Sequence, residues 1–208
     1  MPIVPTLGDP PPAGAIDQAV RALASARVIG LPTDTVYGLA VDPFSIGAAD
    51  RLFLLKRRPR EVDLPVLVAD EGQALDLATA VPRAARRLMA SFWPGALTLV
   101  LPRRSDLQAD LGTDEATIGV RCPSHPVPLA LCRAHGPIAT TSANLHGEPT
   151  VTTAAGVDDV FGDALAVVLD GGTCAGAPST VVDCTGEEPK LLREGRLAWA
   201  DVRAAAGA

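Results

Sequence analysis

The side chains of this chain best suited to chemistry stand in short polar clusters, each next to an apolar run. Val28 to Leu31 leads into Pro32-Thr33-Asp34-Thr35-Val36-Tyr37-Gly38, which presents two hydroxyls, a carboxylate and the only tyrosine. Pro137-Ile138-Ala139 leads into Thr140-Thr141-Ser142-Ala143-Asn144, Thr117 to Val120 leads into Arg121, and Ser179-Thr180 opens a short apolar stretch. Pro32 donates no ladder hydrogen bond, so the first run reads as a strand delivering polar groups to an edge. In an open α/β sheet ligands sit outside the strand ends, so converging clusters point to one site there. Any one cluster alone reads equally well as hydroxyls capping a turn.

Cations add a second signal. Of 18 basic residues, Arg51, Lys56, Arg57, Arg58 and Arg60 fall within one short stretch of a chain whose net charge is -6. Such a run is commonly a solvated helix face and otherwise the wall of an anion site. Lys56 and Lys190 are the only lysines among those 18. An ammonium is a compact point charge and a guanidinium a planar fork, so Lys56 with Arg58 suits a polyphosphate. Pro59 disfavours helical geometry at Arg58, which puts these cations at a helix end, where they also complement the helix dipole. The chain has no G-x-x-x-x-G-K-[ST] loop, no G-x-G-x-x-G fingerprint and no G-x-S-x-G elbow. Any nucleotide must therefore be held by side chains.

The elements that would position these groups alternate along the chain. Helical spacing covers 15–26, 46–55, 71–77, 82–92 and 127–134, a helix capped by Thr153 starts near 154, and another spans 199–206. Apolar strands fall at 28–31, 65–68, 96–101, 117–120, 137–140, 166–170, 179–183 and 191–193. At 208 residues, with 48% hydrophobic and 20% charged residues, this predicts one globular domain at 15–208 behind a proline-rich lead at 1–14. No run approaches the roughly 20 apolar residues of a membrane span, and the lead lacks the basic and apolar regions of a secretory signal, which predicts a cytoplasmic protein with no membrane partner. Cys122, Cys132, Cys174 and Cys184 form no C-x-x-C pair and the three histidines no H-E-x-x-H, so no dedicated metal site is expected and His125 reads as structural.

Together these stretches resemble the YrdC-like family of threonylcarbamoyl-AMP synthases. The matching motifs, in family order, are Pro32-Thr33-Asp34-Thr35-Val36-Tyr37-Gly38-Leu39, Lys56-x-Arg58-Pro59, Trp93-Pro94-Gly95-Ala96-Leu97-Thr98, Val120-Arg121-x-Pro123-x-His125-Pro126, Thr141-Ser142-Ala143-Asn144, Ser179-Thr180-Val181-Val182-Asp183 and Leu192-Arg193-x-Gly195. The chain looks like the short, single-domain form. The resemblance implies a twisted, open mixed α/β sheet flanked by helices, with a concave, positively lined cavity. It also implies an enzyme that joins L-threonine, bicarbonate and ATP into threonylcarbamoyl-AMP with release of pyrophosphate. The product would feed N6-threonylcarbamoyladenosine modification of tRNA through a separate transfer complex, with direct tRNA binding weak.

By the same resemblance, Lys56, Arg58, Ser142 and Asn144 form the catalytic set. Arg121 would pair with the threonine carboxylate, joined by Thr33, Ser142 and Ser179. Thr117, Thr152 and Arg193 would stand with Lys56, Arg58 and Asn144 around the nucleotide, Thr35 and Tyr37 would lie behind the contact residues, and magnesium would come with ATP. Two departures from the family are Glu61-Val62-Asp63-Leu64, where a lysine or asparagine is frequent, and Val151 between Thr150 and Thr152, where proline is common. A relative of the same fold that binds nucleotide or RNA without synthase activity is the alternative, but it would be expected to lose part of the Lys56, Arg58, Ser142 and Asn144 set. An RNA-gripping module is disfavoured by the net acidity and 3% aromatic content. A carbamoyltransferase domain of this fold would come with zinc-finger and acylphosphatase modules.

Overall fold

The computed structural model describes residues 2–207; Met1 and Ala208, the outermost residues of the two expected segments, lie outside the described residues. Along the described chain the strands are β1 (Ile3–Pro5), β2 (Ile29–Leu31), β3 (Gly38–Val41), β4 (Val66–Leu67), β5 (Leu97–Pro102), β6 (Thr117–Arg121), β7 (Ile138–Ser142), β8 (Val168–Asp170), β9 (Thr180–Asp183) and β10 (Lys190–Arg193). The helices are α1 (Ala13–Ala24), α2 (Ala48–Lys56), α3 (Glu71–Leu77), α4 (Arg83–Phe92), α5 (Pro126–His135), α6 (Ala154–Phe161) and α7 (Trp199–Ala206). The strands form one sheet in the order β1-β8-β2-β3-β7-β4-β6-β5-β9-β10. It is mixed: β8 pairs in parallel with β1 and β2, β4 with β6 and β5 with β9, and the remaining pairs are antiparallel.

Alternation along the strands separates two apolar layers. Leu39, Val41 and Ala139 face one layer, where Leu52 and Phe53 of α2, Leu88 of α4, Val157 of α6 and Val202 of α7 are buried. Ala40 and Ile138 face the other, where Ile16 and Leu23 of α1 and Leu131 of α5 cover Ile29, Leu31 and Leu169. Burying each such leucine or isoleucine contributes roughly 1.5–3 kcal/mol. The second layer draws on β2, β3, β4, β7 and β8 but, among the described residues, on none of β5, β6 and β9. Across those strands the same face stays uncovered by α1 and α5.

The proline-rich lead set apart at 1–14 proves continuous with the sheet. β1 runs parallel to β8, Thr6 N donates to Asp170 O at 2.7 Å, and α1 already begins at Ala13. Pro5 is tolerated because β1 is an edge strand, whose outer side needs no ladder. A strand of three residues with only Ile3 and Val4 apolar leaves no periodicity to detect. Gly38–Val41, outside the strands expected from the sequence, is strand β3, pairing with both β2 and β7.

Candidate active site

A cleft of about 640 Å³ opens on the uncovered face of the sheet. Its floor follows from period-two alternation: Thr98 and Val100 of β5, Thr117, Gly119 and Arg121 of β6, Thr140 and Ser142 of β7, and Ser179 and Val181 at β9 all line it. The site therefore lies over the sheet face, not beyond the strand ends as expected from the polar clusters. The physical reason is that helices cover only part of this face, so inward-pointing polar residues meet solvent and not a core layer. Arg58, Arg121 and Arg193 bring three guanidiniums to the same cleft. Burial holds each below its ordinary pKa, and for Arg193 the like charge of Arg121 adds to this. An entering anion would relieve both effects.

Arg121 is 6% exposed, and its donors can be counted. Nε donates to Gly95 O at 2.9 Å, Nη1 to Thr35 Oγ1 at 3.0 Å and Nη2 to Asp34 Oδ1 at 2.7 Å. A guanidinium carries five N–H groups, one on Nε and two on each terminal nitrogen. With these three engaged, each terminal nitrogen keeps one free N–H, a two-pronged donor matched to a carboxylate. Ser179 stands nearby on β9's leading edge. Its Oγ lies 2.9 Å from Thr98 Oγ1 and accepts from Arg193 Nη2 at 3.2 Å, while its carbonyl accepts from Arg193 Nε and Nη2 at 3.2 and 2.9 Å. Arg193, expected at the nucleotide, thus also holds Ser179.

Thr33 uses its hydroxyl locally. It donates to Val36 O at 2.7 Å and accepts from Thr35 N and Val36 N at 3.1 and 3.2 Å, closing the turn that carries Thr35 to Arg121. Tyr37 is fully buried; its hydroxyl donates to Gly172 O at 2.8 Å and accepts from Gly171 N at 3.3 Å, tying this turn to the loop after β8.

The Lys56-x-Arg58 pair divides at the end of α2. Lys56 is its last residue, and Arg57 takes the left-handed conformation at φ 52°, which turns the chain so that the two side chains part. Arg58 enters the cleft, where Nε donates to Val62 O at 2.7 Å, Nη2 to Asp63 O at 2.9 Å and Nη1 to Thr141 Oγ1 at 3.5 Å. Lys56 is 1% exposed and lies beneath the loop after β7. Its Nζ donates to the carbonyls of Ser142 and Asn144, with a longer contact of 3.5 Å to Asn144 Oδ1. Asn144 in turn donates to Leu145 O at 2.8 Å and Glu148 O at 2.7 Å and accepts from Ser142 Oγ. Burial, with the like charge of Arg58, pushes the Lys56 ammonium down to about 8, against the pull of the oxygens around it.

Of the residues singled out in the sequence, Thr33, Thr35, Arg58, Thr117, Arg121, Ser142, Ser179 and Arg193 line the cleft, so Thr35, expected behind the contact residues, stands among them with its hydroxyl accepting from Arg121. Lys56 and Asn144 sit behind the wall that Ser142 presents. Thr117 points its hydroxyl at Asp114, which accepts it. Thr152 does not reach the cleft lining, where Thr150 stands instead; the Thr152 carbonyl accepts from Cys174 N at 2.9 Å, and the neighbouring Val151 carbonyl from Tyr37 N at 3.0 Å. Asp34 and Thr98 stand in the motifs quoted from the sequence but are given no role there. The signal for Thr98 was a lone hydroxyl inside the apolar run Ala96–Leu101. His125 caps α5, accepting from Val127 N at 3.2 Å, as expected of a structural residue. Among the described residues no group of three or more His, Cys, Asp or Glu side chains gathers where it could hold a metal ion.

Comparison with known proteins places these motifs in context. A family model, Sua5_yciO_yrdC, described as telomere recombination, matches residues 21–195. A putative threonylcarbamoyl-AMP synthase of Mycobacterium tuberculosis is 41% identical over 181 residues, covering 86% of this chain and 83% of its own. The threonylcarbamoyl-AMP synthase of Bacillus subtilis is 40% identical over 195 residues, covering 92% of this chain but 56% of the longer protein. Among solved structures, that of Pyrococcus abyssi Sua5 complexed with L-threonine superposes with a TM-score of 0.90 at 32% identity, covering all of this chain and 61% of that one.

Proposed function

The chain belongs to the Sua5, YciO and YrdC family, and from that premise we infer that it is a threonylcarbamoyl-AMP synthase. It joins L-threonine, bicarbonate and ATP to give threonylcarbamoyl-AMP and pyrophosphate. The observation that carries this reading is the Arg121 fork, held by Gly95, Thr35 and Asp34 with two N–H groups left free, in a cleft that also holds Arg58 and Arg193. A carboxylate-matched donor beside two further cations suits an amino acid placed next to a polyphosphate.

In this reading the threonine carboxylate takes the Arg121 fork, and Ser179, aligned by Thr98 and Arg193, meets the substrate's hydroxyl. Thr33 contributes by closing the turn that presents Thr35. The free amine attacks bicarbonate carbon, a C–N bond forms and water leaves, giving a carbamate. A carbamate oxygen then attacks the α-phosphorus of ATP, and the bond to the β-phosphate breaks to release pyrophosphate. Charge gathers on phosphoryl oxygens in that step, where the fixed guanidiniums of Arg58 and Arg193 act without reorganising. Ser142 meets phosphate or carbamate oxygens from a loop that Lys56 and Asn144 hold in shape, and Thr117 flanks the nucleotide. Magnesium enters with ATP as part of the substrate complex.

The adenylate would pass to a separate complex that modifies tRNA, with tRNA itself touching this chain weakly. Among the described residues no helix is long and apolar enough to cross a membrane, and the proposed place of work is the cytoplasm. The test is pyrophosphate release with ATP, magnesium, bicarbonate and L-threonine, each omitted in turn. Release that needs all four supports the reading; release indifferent to threonine refutes it.

Gly195 gives a second check on the threonine end. A Cβ there would stand 2.4 Å from Pro178 O and 2.5 Å from the Ser179 carbonyl carbon and oxygen. Backbone atoms cannot swing aside as a flexible side chain can, so Gly195→Ala must displace Ser179. Misplacing a positioned group by about 1 Å can cost on the order of 10²-fold. The expected result is a threonine KM raised tenfold or more by this criterion. An unchanged threonine KM would remove Ser179 from amino-acid recognition.

A further inference from the structure

Asp34 is the one carboxylate of the Pro32–Leu39 motif, and the mechanism above gives it no contact with substrate. Its side chain is 11% exposed and pairs with the 7% exposed Arg121 side chain at 2.7 Å. A second hydrogen bond anchors the same oxygen, which accepts from Ser124 N at 3.3 Å. Arg196 Nη1 fixes the backbone by donating to Asp34 O at 2.7 Å. The carboxylate lies on the far side of Arg121 from the cleft, in a separate depression bordered by Trp93, Ser124 and Arg196. It does not line the cleft itself.

We propose that Asp34 is a positioning residue: it draws one N–H of Arg121 Nη2 backward so that the remaining N–H groups on both terminal nitrogens aim together at the carboxylate of the amino-acid substrate. The inference rests on the reading of Arg121 as the carboxylate fork. Gly95 O and Thr35 Oγ1 engage Nε and Nη1, but neither restrains Nη2. Without Asp34 the guanidinium plane can pivot about the line through its Nε and Nη1 anchors, and the prong on Nη2 leaves the substrate. A single hydrogen bond to a charged group contributes about 1.5–3 kcal/mol, so losing it weakens carboxylate binding by about 10- to 100-fold.

The test pairs Asp34→Ala and Asp34→Asn with L-threonine and L-threoninamide, which lacks the carboxylate charge but keeps the reacting amine and the hydroxyl. Asp34→Asn preserves shape and one acceptor oxygen, so it serves where the alanine variant folds poorly. With wild type, threonine is expected to be used far more effectively than the amide. In the variants the threonine KM should rise by about 10- to 100-fold with kcat and the ATP KM within about threefold of wild type, and the preference for threonine over the amide should shrink by the same factor. A purely structural defect would weaken both substrates and ATP alike and would overturn the proposal. So would threonine binding that is unchanged or tighter, because Asp34 would then only neutralise Arg121. If wild type neither binds L-threonine by calorimetry nor prefers it to the amide, the synthase reading itself fails; if wild type discriminates and Asp34→Asn does so equally, only the role of Asp34 fails.

Discussion

Replacing Arg121 by alanine is expected to abolish threonine-dependent pyrophosphate release, lowering kcat/KM for threonine by on the order of 10²–10⁴-fold while ATP still binds. Two charge-assisted hydrogen bonds to the substrate carboxylate disappear, each contributing about 1.5–3 kcal/mol. The same substitution should also destabilise the fold, because Asp34, 11% exposed beside Arg121, would lose its ion-pair partner. Breaking a buried ion pair from one side costs about 3–5 kcal/mol, whereas removing both charges is often nearly neutral. The double variant Asp34→Asn with Arg121→Met should therefore recover most of the stability in chemical denaturation and none of the activity. That separation is what identifies the fork as functional. Recovery of threonine use by the double variant, or a threonine KM in Arg121→Ala within tenfold of wild type, would sink the assignment.

Arg121 was legible in sequence because its neighbours are: Thr117 to Val120 is a strand-forming run, and a cation ending it must sit at the sheet rim or on one of its faces. Which face was not legible. Gly119 and Arg121 line the cleft while the Val120 side chain packs into the core, and that choice depends on which helices return to cover which side. The coverage is set by α1 and α5, whose own apolar stripes were readable, but the strands they choose lie far away in the chain. Hence the polar clusters were recognised and their meeting place was misjudged, over the face and not beyond the ends.

Lys56 and Arg58 show the same limit more sharply. In sequence they are two cations of one motif with one expected task. In the fold, Lys56 serves carbonyls 86 and 88 positions away, beneath the surface that Arg58 reaches. Local chemistry marked the helix end and the turn at Pro59; it held no record of the partners that decide where an ammonium points. Thr33 is the opposite case. Its bonds to Thr35 N and Val36 N are the hydroxyl turn that short-range rules describe, so the bland reading of that residue was available from its own neighbours.

Lys56→Met should lower kcat/KM for ATP by on the order of 10²–10³-fold and leave threonine affinity nearly unchanged. Methionine keeps the length of the side chain but leaves the carbonyls of Ser142 and Asn144 without their donor, at about 1–3 kcal/mol for each buried acceptor left unpaired. The loop relaxes, Ser142 moves, and the phosphates lose their seat; Arg121, Thr98 and Ser179 have no contact with this network and keep theirs. A pH profile distinguishes this from general damage. With the ammonium titrating at about 8 in the folded protein, wild-type kcat/KM should fall as pH rises through about 8, since that parameter reports the free enzyme. Stability moves the other way. The folded value lies below the ordinary 10.5, so between about 8 and 10.5 the unfolded chain binds the extra proton, and the contribution of this group to stability rises with pH across that window. Cys122 and Cys184, raised by burial to about 11 and about 12, oppose that trend in wild type and variant alike, so the comparison of wild type with Lys56→Met isolates the lysine. Wild type should gain stability relative to the variant from pH 8 to 10 while losing activity over the same range. A stability difference that stays flat, or activity that holds to pH 10, would show that the Lys56 ammonium keeps its proton and that the loop, once folded, does not depend on it.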